Sequence, residues 1–469
     1  MKPLVDANEI GKEILKDPFL SKLSNLSKEN EIALFLVGGY IRDLILGVHR
    51  RDYDFTLPRE ASPFISSIEK TLRLRFFKIG REEMGTLTYR FIKEDMSVDL
   101  TFFQGRTIEE DLRRRDFTIN AIAFSLWNET LHWVEGALED IGKRIIRTTS
   151  NRSIDQDPLR MLRAIRYLCT LNGFIMDKSL KEELTLKREQ VGKLPGERIK
   201  MELNQILLSP QPEIGMRSLY EMRLLFSLLP DLKGLENLGQ NEHHHLNVLS
   251  HTLLMIEKIS WASEWIVQNK KKILLTPEDR LSLYYAALFH DLGKQDTYTK
   301  DEQGRVHFYH HESFSCQRAE RIMERLRFSN LMRNKILRLI QHHMRILNLS
   351  YETKEAALKR LVNQMADETP LLVILTLADK EASRGILSIQ IDEMVEGHCF
   401  RILELFDEKE IIHPPLLITG HDVTALGYPP GPRIGEILDL IHEKQIGGEI
   451  KTREEALEIL KERFGFGSN

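Results

Sequence analysis

The spacing of apolar residues changes once along the chain, near Arg147, and this change limits the folds open to it. From Ile32 to about Ile146, short apolar runs alternate with turns, as in IALFLVGG and SVDLTFF, which predicts strands. After Arg147, segments such as PLRMLRAIRYLCTL and ERIKMELNQILL repeat apolar residues at helical spacing. The sequence therefore predicts a small α+β domain followed by an almost entirely helical remainder.

The length and two breaks in the pattern predict how the chain is divided. At roughly 150 residues per domain, 469 residues give room for about three domains. The breaks are the mostly polar segment from Lys233 to His243 and the proline pair that follows His413. We predict a head at 1–146, a helical neck at 147–240, a third domain at 241–410 and a helical tail at 411–469.

Charge, cysteines and hydropathy exclude several classes of protein. The chain has 66 Lys and Arg against 70 Asp and Glu, a net charge of −4, so a uniformly basic surface is excluded, but local strips such as Arg113 to Arg115 are not. Cys169, Cys316 and Cys399 are too few and too scattered for a disulfide framework or a thiolate zinc site, which predicts no disulfide partner and a cytoplasmic location. The N-terminus lacks a secretory apolar stretch, and no apolar run approaches the roughly 20 residues that span a bilayer, so no membrane association is expected.

A glycine pair and an acidic pair stand close together near the N-terminus. Gly38 and Gly39 lie between the first predicted strand and a helical stretch that contains Arg42. Because they lack a Cβ, they let backbone N–H groups approach a phosphate at a helix N-terminus. Asp52 and Asp54 are one residue apart, so on a strand they share one face. Two such carboxylates suit a pair of Mg²⁺ ions, the arrangement used for in-line nucleotidyl transfer.

Asp99 is a third candidate catalytic carboxylate. In its predicted strand, Val98, Leu100 and Phe102 face the core, which leaves Asp99 on the polar face. Taken alone, an Asp-X-Asp pair such as Asp52 and Asp54 is more typical of a solvated strand edge than of a site. Their combination with the segments that follow favours a site.

Two arginine-rich segments supply hydrogen-bond donors. Arg115, Asp116 and Asn120 lie in RRDFTINA, and the helix predicted further on carries Asp157 and Arg160 three residues apart. An acceptor and a donor side by side on a helix suit the hydrogen-bonding edge of a nucleobase, although a surface row of ion pairs is the alternative. Two further arginines continue the row towards phosphates: Arg163 and Arg166.

Together, in this order, these segments resemble the class II tRNA nucleotidyltransferases and the related bacterial poly(A) polymerases, in the polymerase-β-like nucleotidyltransferase superfamily. The resemblance covers roughly Ile32 to Leu207 and includes PGERIKME, which is similar to the family's neck. It implies a nucleotidyltransferase head (palm), Mg²⁺ as cofactor, and transfer from CTP or ATP to the tRNA 3′ end without a nucleic-acid template.

The resemblance also implies roles for individual residues. The residues that bind the triphosphate are Gly38, Gly39 and Arg42. The ligands of the catalytic Mg²⁺ are Asp52 and Asp54. The segment that binds ribose and phosphate contains Arg115, Asp116 and Asn120. The protein template that pairs with the incoming base consists of Asp157 and Arg160.

Two positions depart from the family pattern. Gln156 stands where the family has the Glu of its Glu-Asp-X-X-Arg motif, so whatever that Glu orients differs here. Enzymes that build the whole CCA end usually carry a long flexible loop after the third-carboxylate strand, which helps the template switch from CTP to ATP. Here residues 104–108 alone separate Phe103 from Glu109, and CC-adding members lack the loop. The sequence therefore favours CC addition, with CCA addition, A addition and poly(A) synthesis as alternatives.

A second set of residues, in the helical remainder, has metal-ligand chemistry. His290 and Asp291 end an apolar helix, and with His251 and Asp379 they resemble the HD phosphohydrolase superfamily. The additional ligands of its dinuclear members match His311 and His343, although spacing does not separate these from His310 and His342.

Imidazole and carboxylate ligands suit a divalent transition metal, so the resemblance implies an all-α HD domain that binds metal. It also opens two other hypotheses. In the first, a phosphohydrolase acting on 2′,3′-cyclic or nucleotide phosphates is the main activity. In the second, the chain is a non-catalytic RNA-binding scaffold, against which the intact pair Asp52 and Asp54 argues.

Overall fold

The structure is a computed structural model that describes residues 6–80, 87–103, 105–239, 247–269, 273–383, 389–412 and 414–464. The chain forms two compact units, Met1–Leu228 and Leu229–Asn469. The first unit holds a mixed sheet and helices, and the second is helical apart from a two-stranded ribbon. The predicted fold class, an α+β head followed by helical segments, is confirmed.

The first unit contains nine strands and twelve α-helices among the described residues. The strands are β1 (Phe35–Val37), β2 (Asp52–Leu57), β3 (Phe77–Ile79), β4 (Thr88–Lys93), β5 (Met96–Phe102), β6 (Ile122–Ser125), β7 (Leu131–Trp133), β8 (Ile145–Ile146) and β9 (Ile175–Met176). The helices are α1 (Ala7–Ile14), α2 (Pro18–Glu29), α3 (Gly39–Ile45), α4 (Phe64–Leu72), α5 (Ile108–Arg114), α6 (Ala137–Lys143), α7 (Ser153–Gln156), α8 (Arg160–Thr170), α9 (Lys178–Leu186), α10 (Gly196–Leu207), α11 (Pro212–Glu221) and α12 (Leu224–Leu228).

The elements of the second unit are mostly helices. They are α13 (Val248–Gln268), α14 (Pro277–Phe289), α15 (Lys294–Thr297), β10 (Thr299–Lys300), β11 (Val306–His307), α16 (His311–Arg325), α17 (Asn330–His342), α18 (Met344–Leu347), α19 (Glu355–Met365), α20 (Thr369–Ala382), α21 (Ile389–Phe406), α22 (Lys409–Ile412), α23 (Gly420–Ala425), α24 (Pro432–Ile446) and α25 (Arg453–Phe464).

Seven of the described strands form one sheet in the order β3-β4-β5-β2-β1-β6-β7. β2 and β5 run parallel, and the other neighbours in this sheet are antiparallel. The parallel register aligns Asp54 with Asp99, and the register of β4 with β5 aligns Arg90 with Asp99. Because paired residues point to the same face, these three side chains and Asp52 share one face of the sheet, which we call the acidic face.

The opposite face of the sheet is packed into the core of the head. Tyr53 and Phe55 are buried there, and the ring of Phe19 in α2 lies 4.8 Å from the Tyr53 ring, centroid to centroid. On the acidic face, α5 covers β1 and β6 through an apolar cluster that includes Ile108 and Leu112. The buried residues of that cluster lie on or next to β1, α5 and β6, and none of them lies on β2, β5, β4 or β3. This helix therefore covers one half of the acidic face.

The second unit has two apolar regions. α13 packs against α20 and α14, and α14 packs against α16 and α17, which places the ends of these helices together. The tail has a cluster of its own, in which Ile437 and Ile441 of α24 pack with Leu460 of α25.

The two predicted seams lie partly outside the described residues, at 240–246 and at 413. The compact units divide earlier, between Leu228 and Leu229, and a 3₁₀ helix continues from Pro230 to Leu235. Among the described residues, no helix is both long enough and apolar enough to cross a bilayer.

Candidate active site and buried metal cluster

β2 presents two carboxylates on the acidic face. Asp52 and Asp54 are exposed, whereas Tyr53 between them is only 2% exposed, so the predicted alternation is present. The Ser97 hydroxyl donates a hydrogen bond to Asp52. Asp99 lies across from Asp54 on β5, and its oxygens accept a fork of two hydrogen bonds from Arg90, one of them 2.6 Å long from Nε. The structure therefore brings all three predicted carboxylates together, and Asp99 is already paired with an arginine.

The surroundings of Asp54 disfavour its charged form. Although the carboxylate is open to solvent on one side, the protein packed around its other sides limits its hydration. This desolvation, followed by the negative charges of Asp52 and Asp99, raises the pKa of Asp54 to about 6, against the opposing effect of Arg115 and Arg90. An extra positive charge between these carboxylates would relieve their repulsion, which is what a divalent cation supplies.

The glycine turn meets the arginine-rich segment. Gly38 has a φ of 75°, which favours glycine, and a Cβ at this position would lie 3.2 Å from Nη1 of Arg115. Arg42, on the first turns of α3, donates from Nη1 to Oδ1 of Asn120 over 2.6 Å. The structure thus brings Gly38, Arg42, Arg115 and Asn120 together, and their assignment to a phosphate site stays a prediction.

Asp116 is the centre of a buried polar network. Its Oδ1 accepts hydrogen bonds from the Asn120 side chain (3.1 Å) and from the backbone N–H of Phe117 (2.8 Å). Its Oδ2 lies 2.9 Å from Nη2 of Arg163. Burial alone raises the pKa of this carboxyl, but Arg163 and the two hydrogen bonds outweigh burial and hold it below its usual range. Asn120 also donates to the Tyr167 hydroxyl over 2.9 Å. The network joins the segment before β6 to helix α8.

The structure corrects the predicted setting of Asp157. It does not lie on a helix with Arg160: α7 ends at Gln156, Asp157 is extended, and α8 begins at Arg160. The reason is Pro158, whose ring disfavours helical backbone at the preceding residue. Asp157 instead lies beside the neck helix α10, with Oδ2 3.0 Å from Nη2 of Arg198.

The arginines of α8 have partners inside the protein. Arg160 donates to Ser153 Oγ (2.7 Å) and to the carbonyl oxygen of Arg114 (2.7 Å). Arg163 pairs with Asp116, and Arg166 lies 3.0 Å from Glu202 of α10. In this structure the predicted row of phosphate donors is therefore a set of ion pairs that fixes α8 against its neighbours.

Six buried side chains converge in the second unit. His251 is on α13, His290 and Asp291 follow α14, His311 begins α16, His343 follows α17, and Asp379 is on α20. Nε2 of His251 is 3.2 Å from Asp379, and Nε2 of His311 is 3.2 Å from Nε2 of His343 and 3.3 Å from Asp291. His310 is exposed and His342 is half-buried, so the structure brings His311 and His343, rather than their neighbours, to the cluster.

The histidines of this cluster are oriented as metal ligands usually are. Nδ1 of His290, His311 and His343 lies 2.7–2.9 Å from the carbonyl oxygen three residues earlier, so each ring donates there and turns Nε2 towards the cluster. Burial, followed by the charges of His290 and His311, lowers the pKa of His343 to about 3, so this ring is neutral.

Two overlapping sets of ligand atoms lie within 4.8 Å of one another: His251, His290 and Asp379, and His290, Asp291 and His343. These donors fit one or two divalent cations. The acidic face, by contrast, offers carboxylate oxygens and solvent access, which suit Mg²⁺ bound together with substrate phosphates.

Three family models match the chain in succession. They are "Poly A polymerase head domain" at residues 34–147, "Probable RNA and SrmB- binding site of polymerase A" at 173–235, and "HD domain" at 242–383. A CC-adding tRNA nucleotidyltransferase of Thermus thermophilus is 33% identical over 440 residues, covering 91% of this chain and 92% of that protein. An A-adding tRNA nucleotidyltransferase of Deinococcus radiodurans is 30% identical over 429 residues, covering 90% and 93%. The chain belongs to the tRNA nucleotidyltransferase family.

Solved structures give this tRNA nucleotidyltransferase the same fold. A complex of a CCA-adding enzyme with CTP matches with a TM-score of 0.68 at 21% identity, covering 98% of this chain and 99% of the other. A Thermotoga maritima CCA-adding enzyme complexed with tRNA matches with a TM-score of 0.62 at 21% identity, covering 98% of each chain. The predicted family and the predicted class of enzyme, one that transfers nucleotides to an RNA 3′ end, are both confirmed.

Three residues of the tRNA nucleotidyltransferase site escaped the sequence analysis. Two of them are arginines that pair with a predicted carboxylate: Arg90 with Asp99, and Arg198 with Asp157. Each pair joins residues of two different elements, and the spacing of residues along the chain does not reveal such contacts. Tyr167, whose hydroxyl accepts a hydrogen bond from Asn120, was not singled out in the sequence. A signal for Arg90 was nevertheless present, because TYRF alternates as a strand and places Arg90 on its polar face.

Proposed function

We propose that this tRNA nucleotidyltransferase adds two cytidylates from CTP to the tRNA 3′ end, without a nucleic-acid template. The short connection between β5 and α5 carries the proposal. β5 ends at Phe102 and α5 begins at Ile108, which leaves no length for the flexible loop that enzymes building the whole CCA end usually carry here.

The connection is also held against the helix that follows it. The backbone N–H of Arg106 donates to Glu110 over 2.9 Å, and Thr107 caps α5 by accepting from the N–H of Glu110. A Cβ on Gly105 would lie 2.7 Å from Cβ of Glu110, so the backbone passes directly over this side chain. A segment this short and this closely packed is poorly suited to switch the template from CTP to ATP. Position 104 lies outside the described residues.

The relatives leave the product open. The CC-adding and A-adding proteins match this chain almost equally, and a multifunctional CCA protein of Pasteurella multocida is 25% identical over 378 residues. Full CCA addition, A addition and poly(A) synthesis are therefore the alternatives. We place the activity in the cytoplasm, where the three free cysteines would stay reduced.

In the proposed reaction, the 3′-oxygen of the tRNA attacks the α-phosphorus of CTP, and the bond from this phosphorus to pyrophosphate breaks. Asp52 and Asp54 would hold Mg²⁺, which would lower the pKa of the attacking 3′-hydroxyl and stabilise the charge on the leaving pyrophosphate. The glycine turn with Arg42 and Arg115 binds the triphosphate, and Asp116 and Asn120 shape the ribose subsite. Arg90 holds Asp99 beside Asp54 through two hydrogen bonds.

Asp157 and Arg160 select the base in this proposal. A carboxylate accepts from the exocyclic amino group of cytosine or adenine, and a guanidinium donates to the acceptors beside that amino group. Uracil and guanine present a carbonyl oxygen where Asp157 needs a donor, so both are rejected. The template thus explains the choice of C and A over U and G, while the connection after β5 argues for C over A.

The test is a primer series. Purified protein is incubated with tRNA transcripts that end before the two C residues, after one and after both, with CTP and ATP supplied separately. Incorporation of CTP that stops after the second C supports the proposal. A single A on the transcript ending in CC indicates A addition, long A tails indicate a poly(A) polymerase, and RNA binding without incorporation indicates a scaffold.

The buried cluster of the second unit favours a second candidate function, a metal-dependent phosphohydrolase acting on 2′,3′-cyclic or nucleotide phosphates. Lys294 lies 2.7 Å from Asp291 and places a cation beside the ligand set, where a substrate phosphate could bind. If this candidate function is right, Asp291→Asn should abolish hydrolysis of a 2′,3′-cyclic nucleotide and Asp52→Asn should leave it intact. No hydrolysis by the wild-type protein loaded with Mn²⁺ would refute this second activity.

A further inference from the structure

The acidic face continues beyond the catalytic carboxylates as an exposed apolar surface. Phe77 and Ile79 on β3 are 50% and 41% exposed, and Ile92 on β4 is 58% exposed. The register connects these residues to the site: Phe77 pairs with Arg90, which pairs with Asp99, and Ile92 pairs with Ser97, which pairs with Asp52. We call Phe77, Ile79 and Ile92 the apolar platform.

Phe77 is the centre of the apolar platform. Ile79 lies two residues along β3 from Phe77, and Ile92 lies diagonal to Phe77 across the β3–β4 pair, so each is roughly 7–8 Å from Phe77 on one face. Ile79 and Ile92 lie on opposite sides of Phe77. The other half of the same face is covered by α5 and its apolar cluster. Large apolar side chains grouped on an open surface commonly mark a site of interaction.

The spacing of strands gives the distance from the platform to the catalytic carboxylates. Neighbouring strands are about 4.8 Å apart, so Ile92 lies roughly 10 Å from Asp52, two strands away, and Phe77 roughly 14 Å from Asp54, three strands away. In stacked B-form DNA each strand advances about 3.4 Å per nucleotide, and we take this rise for a stacked RNA strand. A strand whose 3′-hydroxyl is at the carboxylates therefore reaches the platform about three or four nucleotides upstream.

We propose that the apolar platform binds the bases of the unpaired nucleotides that precede the RNA 3′ terminus. Proteins bind single-stranded RNA by stacking bases on aromatic side chains presented by a sheet, and every base offers a flat apolar face. Binding of this kind is indifferent to sequence, which suits an enzyme that extends many tRNAs. The inference rests on the proposed function, since it requires an RNA strand whose end lies at Asp52 and Asp54.

The test uses the full chain and an RNA hairpin with an unpaired 3′ tail that carries 2-aminopurine, a fluorescent base, at the third or fourth nucleotide from its end. Wild-type protein with Mg²⁺ is expected to quench this fluorescence by stacking. Phe77→Ala should lose the quenching and raise the KM for RNA about tenfold, with the KM for CTP little changed. Phe77→Trp keeps an aromatic face and should restore both properties.

Trp133→Ala is the matched control. Trp133 is 42% exposed and lies on β7, the opposite edge strand of the same sheet, so its removal should leave quenching and KM unchanged. Equal effects of Phe77→Ala and Trp133→Ala, or no effect of either, would overturn the proposal. A wild-type enzyme that quenches through Phe77 yet adds no nucleotide would refute the proposed function and not the platform.

Discussion

At the scale of a single residue, Asp54 links metal binding to pH. Its pKa of about 6 is raised by limited hydration and by two neighbouring carboxylates, and a protonated carboxyl is a poor ligand for Mg²⁺. Above pH 6 the group is ionised and available. Below pH 6 protons compete with the metal, so the Kd for Mg²⁺ should rise up to about tenfold per pH unit.

Titration of the full chain with Mg²⁺ between pH 5 and pH 8, with no nucleotide present, checks this expectation. Asp54→Asn is the matched control, because it keeps the shape and removes the titrating group. This variant should bind Mg²⁺ more weakly than the wild type, and its Kd for Mg²⁺ should show no inflection near pH 6. An affinity in the wild type that stays constant down to pH 5 would show that Asp54 is not a ligand.

Arg198 belongs to the same scale, because it orients the carboxylate that reads the base. Its Nη2 lies 3.0 Å and 3.3 Å from the two oxygens of Asp157, which leaves lone pairs on both for an incoming amino group. Arg198→Ala should therefore raise the KM for CTP about fivefold and weaken the preference for CTP over UTP, with a smaller change in kcat. Arg188→Ala, at a half-exposed arginine of the same neck, should change neither the KM for CTP nor the base preference. Unaltered base preference in Arg198→Ala would contradict a positioning role.

At the scale of elements, the sequence predicted what depends on local spacing and missed what depends on pairing. The alternation of β2 and β5 placed Asp52, Asp54 and Asp99 on one face, as the structure confirms. Asp157 was assigned to a helix because Pro158 was read as helical, although a proline acts on the residue before it. The partner of Asp99, Arg90, follows from a register that only the folded sheet defines.

The contact between α8 and the segment before β6 depends on Asp116. Asp116→Ala removes the acceptor of Asn120 and Phe117 and the partner of Arg163, whose side chain is only about one-third exposed. The local free energy of opening should fall by about 2–3 kcal/mol, measured by hydrogen exchange of α8 in the full chain. Asp155→Ala breaks an ion pair with Lys187 at the surface and should leave the protection of α8 close to that of the wild type. Equal protection of α8 in both variants would refute the role given to Asp116.

At the scale of the whole molecule, the two compact units carry two different candidate metal sites. The carboxylates of the first unit are open to solvent, whereas the histidine cluster of the second is buried between five helices. A cation bound to the native cluster stabilises it by about 2.7 kcal/mol at a concentration of 100 Kd, which corresponds to a rise in Tm of several degrees. Mn²⁺ should give this rise in the wild type and in Asp52→Asn, and not in Asp291→Asn. A rise that survives in Asp291→Asn would place the metal elsewhere.

The central claim is that Asp52 and Asp54 perform nucleotide transfer and that the histidine cluster does not. Its most direct test measures the incorporation of labelled CTP into a tRNA transcript ending before the two C residues, by the wild type, Asp54→Asn and Asp291→Asn, each shown to be folded. We predict that Asp54→Asn incorporates CTP at least about a thousandfold more slowly, because a metal ligand at the reacting atoms is lost. In Asp291→Asn we predict incorporation close to that of the wild type. Transfer that persists in Asp54→Asn and disappears in Asp291→Asn would contradict the central claim.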